Sequence, residues 1–177
     1  GFIRNHSKAP VLDAVRSRFF WASFALIGLG FIMVEIGIIQ KFILFWEHQT
    51  LALSIVLTLI LAFTGAGSFI SKRVGRVKFI RPILIVIFLL VLFINVFSSP
   101  ILNFFEPKAF LLKLAITIGL IGPVFFFMGM VFPFLLRTLA QYDTSKRLFP
   151  WMMGINSIMT FMGGGFSMAL SYLAGYS

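Results

Sequence analysis

Between Phe19 and Tyr176 the sequence contains five apolar stretches, each about as long as the roughly 20 residues a helix needs to cross a hydrocarbon layer. They cover residues 19–46, 50–70, 80–97, 109–139 and 150–176. This feature limits the fold more than any other. A soluble domain of 177 residues with 60% apolar residues and a mean hydropathy of +1.05 could not cover that surface in one core. In lipid the same side chains can face outward, and the backbone must then be hydrogen-bonded within each segment. The expected fold is therefore all-α, a polytopic transmembrane helical bundle of about five spans. Residues 1–18 would form a polar N-terminal segment, and 19–177 the membrane domain. The first apolar run exceeds a signal-peptide core, so it reads as a retained span. Gly1 in place of Met is the start expected of a processed chain or of a piece of a longer one.

The net charge of +10 would suggest a nucleic-acid partner in a soluble protein, but here the cations sit in the gaps between spans. Arg4, Lys8, Arg16 and Arg18 precede span one. Lys72, Arg73, Arg76, Lys78 and Arg81 separate spans two and three, and Arg137, Lys146 and Arg147 separate four and five. These twelve of the 15 Lys and Arg fall on one side of a five-span chain, and only Lys41, Lys108 and Lys113 on the other. The positive-inside rule makes the first side cytoplasmic and the C-terminus external. The expected location is a bacterial cytoplasmic membrane, with lipids and other membrane subunits as partners and no nucleic acid. Trp21 and Trp151 at one face and Trp46 at the other read as interfacial anchors, since amphipathic rings suit the headgroup layer. The segment from Ser98 to Lys108, with Pro100 and Pro107, reads as an external loop. Span four carries Pro123 and Pro133, each of which removes a backbone donor, so a kink or break is expected there.

Glu35 is the residue with the most chemical interest, because a carboxylate near the middle of span one costs several kcal/mol, on the order of 3 by insertion scales. The favoured reading is a neutral Glu hydrogen-bonded between helices, with Asn156 of span five as its partner. A proton or cation site is the alternative, but a relay would need a second membrane-embedded acid, and there is none. Gln40 and Lys41 follow on the same helix, and Lys41 can snorkel to the interface. Gly65 and Gly67 in span two, and Gly163, Gly164 and Gly165 in span five, read as helix-packing positions. Gly67 and Ser71, like Gly165 and Ala169, have the four-residue spacing that lets backbones approach. His48 could ligate a metal or pigment, but a lone His is a weak ligand signal, and an exposed turn residue is the simpler reading. The eight Met lie within spans, where flexible packing accounts for them. With no Cys, thiol chemistry is excluded. No nucleophile–base arrangement, dinucleotide loop or pair of catalytic carboxylates is present. The chain as it stands is not expected to be an enzyme or to need a cofactor, although lipid or pigment contacts remain open.

Five segments, GLGFIMVEIGIIQKFILF, EHQTLALSIVL, FTGAGSFIS, GMVFPFLLR and PWMMGINS, occur in an order that resembles the membrane region of bacterial multi-pass spermidine synthase-like proteins. The resemblance covers most of residues 29–177. It implies that Glu35, Gln40, Pro133, Trp151, Gly154 and Asn156 are signature positions. It departs from the family at EHQT, where GHPT is usual, and at GMVFP, where GMPFP is usual. The family's catalytic domain has no counterpart in these residues. The resemblance thus implies a membrane module that anchors such a domain or is reused as an accessory subunit of a larger complex. A transporter, or half of one, for polyamine-like cations using Glu35 is a second expectation. The anchor of an aminopropyltransferase- or methyltransferase-like enzyme encoded outside this segment is a third.

Overall fold

The structure, a computed structural model, describes residues 9–72, 80–104, 110–142 and 148–173. Among these residues there are five helices and no strand: α1 Ala9–Trp46, α2 Gln49–Ser71, α3 Ile80–Phe104, α4 Phe110–Tyr142 and α5 Leu148–Leu173. The fold is all-α. Four helices are long and apolar enough to cross a membrane, over Arg18–Trp46, Gln49–Ser71, Ile80–Phe97 and Phe110–Gln141. The protein is a multi-pass membrane protein. α5 is helical as expected but is not one of the four. Asn156, Ser157, Thr160, the glycines 163–165, Ser167 and Ser171 dilute its apolar content.

Three boundaries differ from the sequence expectation. α1 begins at Ala9, ten residues before the apolar run, so part of the basic segment is helical and continuous with the first span. Elongating a nucleated helix needs only acceptable helix formers, and Asp13, Ala14 and Arg16 suffice. α3 continues to Phe104, so residues 98–104 are helix rather than loop. α4 stays helical through both Pro123 and Pro133 without a break. Neighbouring groups and local adjustments make proline tolerable in such helices. Residues 1–8, 105–109 and 174–177, with their share of the expected N-terminal segment, loop and last span, lie outside the described residues.

The chain divides into two compact units, one of Gly1–Met33 with Leu139–Ser177 and the other of Val34–Thr138. In the second, one stripe of α2 is buried: Ala52, Val56, Ile60, Gly67 and Ser71 recur at intervals of four or seven residues. They belong to a core with Phe42 of α1 and Ile121, Val124 and Phe125 of α4, all fully buried. α3 contributes Ile83 and Ile94, while Leu84, Ile85, Phe88, Leu89 and Phe93 are exposed.

Glycines set the spacing of α2 and α4. A methyl on Gly67 would strike the Phe126 carbonyl, and one on Gly129 the Thr64 carbonyl. One on Gly122 would come within 2.8 Å of the Phe63 ring. Gly65, expected to pack, instead has open space around it, because it points away from this stripe.

In the first unit Gly28 lies against the Asn156 carbonyl and 2.9 Å from Thr160 Oγ1, measured from its would-be Cβ. Gly163 lies against Ile32 and Leu29, at 2.7 and 3.2 Å. The later residues of one helix meet the later residues of the other, so α1 and α5 run parallel here. Gly164 is half-buried, and a methyl on Gly165 would meet nothing within 4 Å among the described residues.

Gly67→Ala and Gly129→Ala should each destabilise the protein by about 1–3 kcal/mol, because backbone atoms cannot yield to the added methyl. Gly65→Ala should be neutral or stabilising by up to about 1 kcal/mol, through helix propensity alone. Reversible unfolding in mixed micelles titrated with dodecyl sulfate measures all three. Equal losses at Gly65 and Gly67 would contradict the assignment of the packed face.

Candidate functional site

Among the described residues, a cluster of polar contacts lies where α1 turns into α2. The last carbonyls of a helix have no intrahelical donor, and α1 ends at Trp46 beside an apolar core. Lys113 of α4 supplies the donor: its Nζ donates to the Phe45 carbonyl at 3.2 Å and to Glu47 Oε1 at 2.9 Å. The same ammonium lies 5.3 Å from the centre of the Phe45 ring. The cation at a helix C-terminus also has the favourable sign for the helix dipole. Trp46 Nε1 donates to Thr117 Oγ1 at 3.3 Å, and that hydroxyl donates to the Lys113 carbonyl at 2.7 Å. Trp46, expected as an interfacial anchor, is inside the fold, only 5% exposed and packed edge-on to Phe110. A buried indole N–H needs a partner, and Thr117 provides it. Trp21 is half-buried, and Trp151 is 67% exposed.

Glu47 itself has φ +60°. A non-glycine residue in this left-handed region costs about 1 kcal/mol, and it lets the chain reverse within two residues between α1 and α2. The hydrogen bond and charge of Lys113 hold the Glu47 carboxyl below the usual carboxylate range. His48 is exposed and precedes α2 in an extended conformation, without capping through its side chain. Among the described residues no three His, Asp or Glu side chains gather into a group that could hold a metal.

Two further cations serve helix backbones. Lys41 of α1 donates to Asn95 of α3, at 2.9 Å to Oδ1 and 3.3 Å to the carbonyl. Arg137 of α4 donates to the Ser71 carbonyl at 2.7 Å and so closes the C-terminus of α2. Composition shows these cations but not their acceptors, which are backbone carbonyls and the Asn95 side chain on other helices.

The residues singled out by the sequence are not gathered into one place. Glu35 is half-buried, three and seven residues before the buried Ile38 and Phe42, and therefore on the inward stripe of α1. It makes no hydrogen bond or ion pair with another described residue of its unit. Gln40 and Pro133 are half-buried, while Gly154 is exposed with open space around it. The expected Glu35–Asn156 pair takes one residue from each unit. Within its own unit, Asn156 is set against Gly28, and its Oδ1 is buried without a hydrogen-bond partner. Thr64 Oγ1 is likewise buried and unpartnered, beside Gly129. Thr64 carries no signal in the sequence, since a threonine in an apolar helix ordinarily bonds the carbonyl four residues earlier.

No protein-family model, curated protein or solved structure matches this chain.

The Glu47–Lys113 pair gives a pH dependence of definite sign. The folded carboxyl titrates lower than the unfolded one, so its contribution is complete above the ordinary carboxylate pKa of about 4.3. It is lost as pH falls through the lower folded value. Wild-type stability should drop with acid over this window, and Glu47→Gln should show a shallower fall by the same micelle unfolding assay. Identical acid profiles would mean that the ion pair contributes nothing measurable.

Proposed function

We propose that this chain is a non-catalytic membrane module that acts as an anchor or accessory subunit of a larger membrane assembly. The observation that carries the reading is how its polar side chains are used. Lys113, Lys41 and Arg137 serve helix ends and interhelical contacts, while α3 and α5 expose long apolar faces. On α5 these include Phe161 at 85% exposure and Leu173 at 81%. Such faces suit lipid and the helices of other membrane subunits. The resemblance to the membrane region of spermidine synthase-like proteins agrees with an anchor for a separately encoded enzyme domain. The charge asymmetry agrees with a bacterial cytoplasmic membrane and a cytoplasmic N-terminus.

One observation favours a second reading. Glu35 lies on an inward stripe without a partner among the described residues of its unit, which is where a transporter for organic cations would keep a carboxylate.

Native mass spectrometry of protein extracted in a mild detergent tests the first reading. Masses well above 19.9 kDa, with a second polypeptide in fixed stoichiometry, are expected. A monomer under every mild condition would overturn it. Polyamine uptake into proteoliposomes that is abolished in Glu35→Gln would establish the transporter instead.

A further inference from the structure

The second unit holds residues 34–46 of α1, and the inward stripe of this stretch is closed over only part of its length. Ile38, Phe42, Phe45 and Trp46 are buried. One turn before Ile38 the cover ends: Glu35 is half-buried, as are Val34, Ile36 and Gly37 beside it. Glu35 stands about 16 Å along the helix axis from Trp46, roughly half the depth of a ~30 Å hydrocarbon core.

The charges of the unit single this residue out. Among the described residues the unit has two acids, Glu35 and Glu47, and Glu47 is paired with Lys113. Lys41 donates to Asn95 and Arg137 to the Ser71 carbonyl, while Lys72 and Arg81 stand at helix ends. No described cation of the unit is therefore left for Glu35 at its own depth. An ionisable side chain within a span pairs with an opposite charge or lines a water-filled path. A path asks more of the neighbours than they offer. Ile38 and Phe42 on the same stripe are apolar, and α1, α2 and α4 are continuous helices. They present none of the unwound backbone with which midplane ion sites replace the water of a solute cation. A lysine or arginine on another helix needs no such replacement, since its stem is apolar and its backbone is already hydrogen-bonded.

We infer that Glu35 is the docking carboxylate for a transmembrane helix of another subunit, one that carries a lysine or arginine at mid-membrane depth. The inference rests on the accessory-subunit reading and names the chemistry of the partner. The second helix lies along the uncovered stretch of α1 at residues 34–37, where the two charges neutralise each other inside the apolar layer.

The test uses the full chain in phosphatidylcholine vesicles with synthetic leucine–alanine helices that carry lysine, leucine or glutamate at the central position. Association is read by energy transfer between fluorophores on the chain and the peptide. The lysine helix should bind about tenfold more tightly than the leucine helix, the order expected of one interhelical polar contact in a bilayer. This preference should vanish in Glu35→Gln, persist in Glu35→Asp and shift to the glutamate helix in Glu35→Lys. Unfolding midpoints identify any variant that fails to fold, and the Gln and Asp variants decide the matter where Glu35→Lys does. Equal binding of the three helices, or an undiminished lysine preference in Glu35→Gln, would overturn the assignment. So would displacement of the lysine helix by spermidine at equal concentration, the mark of a solute site, or a Glu35-dependent association of the chain with a second copy of itself. A second polypeptide that native mass spectrometry finds equally on the wild type and on Glu35→Gln would leave the accessory-subunit reading standing and remove this partner site.

Discussion

Helix ends that open onto an apolar layer must find hydrogen-bond donors from somewhere other than water, and this requirement organises the larger unit. α1 and α2 terminate at opposite ends of α4, and α4 carries one cation for each. Lys113 donates to the Phe45 carbonyl, and Arg137 to the Ser71 carbonyl. Along a helix axis these two residues are about 36 Å apart, slightly more than the ~30 Å of a hydrocarbon core. Each cation can therefore reach the polar border at its own surface while its stem runs through apolar surroundings. Removing either would leave a helix-end carbonyl without its side-chain donor at the border of the apolar layer. A Lys or Arg at the end of a span is usually described as an orientation signal. Here the same residues also fix the axial register of two neighbouring helices.

Once the register is fixed, close packing follows from small residues at matching heights. Gly67 sits at Phe126 and Gly129 at Thr64, so each helix offers a glycine where the other presents backbone. Half of the apolar window of α4 is buried, against 11–17% for those of α1, α2 and α3, which makes α4 the central element. Among the described residues, α3 is anchored by the buried Ile83 and Ile94 and by the Lys41–Asn95 contact. Such an arrangement is a framework, with its polar chemistry directed at its own backbone, and its outward surface is the part left for interaction.

The number, type and approximate limits of the helices were legible because hydrocarbon thickness imposes a length and charged residues avoid the interior. The inward faces were not legible. In a soluble helix, polarity marks the outside; in α2 and α4 both faces are apolar, so periodicity has no contrast to report. Gly65 and Gly67 are two residues apart and chemically identical, yet only one faces Phe126. Trp46 shows a related ambiguity. An indole at a span end fits the headgroup layer and a buried hydrogen bond to Thr117 equally well, and only the position of α4 decides. Gly28, Gly122 and Gly129 are hard to single out, because lone glycines in apolar runs do not stand out as the clustered ones do. Spacing held a partial signal, since Gly122 and Gly129 are seven residues apart on one face of α4.

Glu35 and Asn156 were the polar residues that the sequence made conspicuous, and the structure changes what each can mean. Asn156 lies on a small-residue seam, where Thr160 and Gly163 continue its face of α5 and Gly28 opposes it on α1. Close backbone approach of this kind accommodates an amide without a conventional donor through weak Cα–H contacts. Its conspicuousness is accounted for by packing within one unit. Glu35 has no such account. It shares the inward stripe of α1 with Ile38 and Phe42, but unlike Lys113 and Arg137 it serves no helix end among the described residues. A carboxyl kept at that depth without a structural task in its unit is costly to retain for packing alone. A hydrogen-bond donor or cation at mid-membrane depth is the chemistry that would satisfy it.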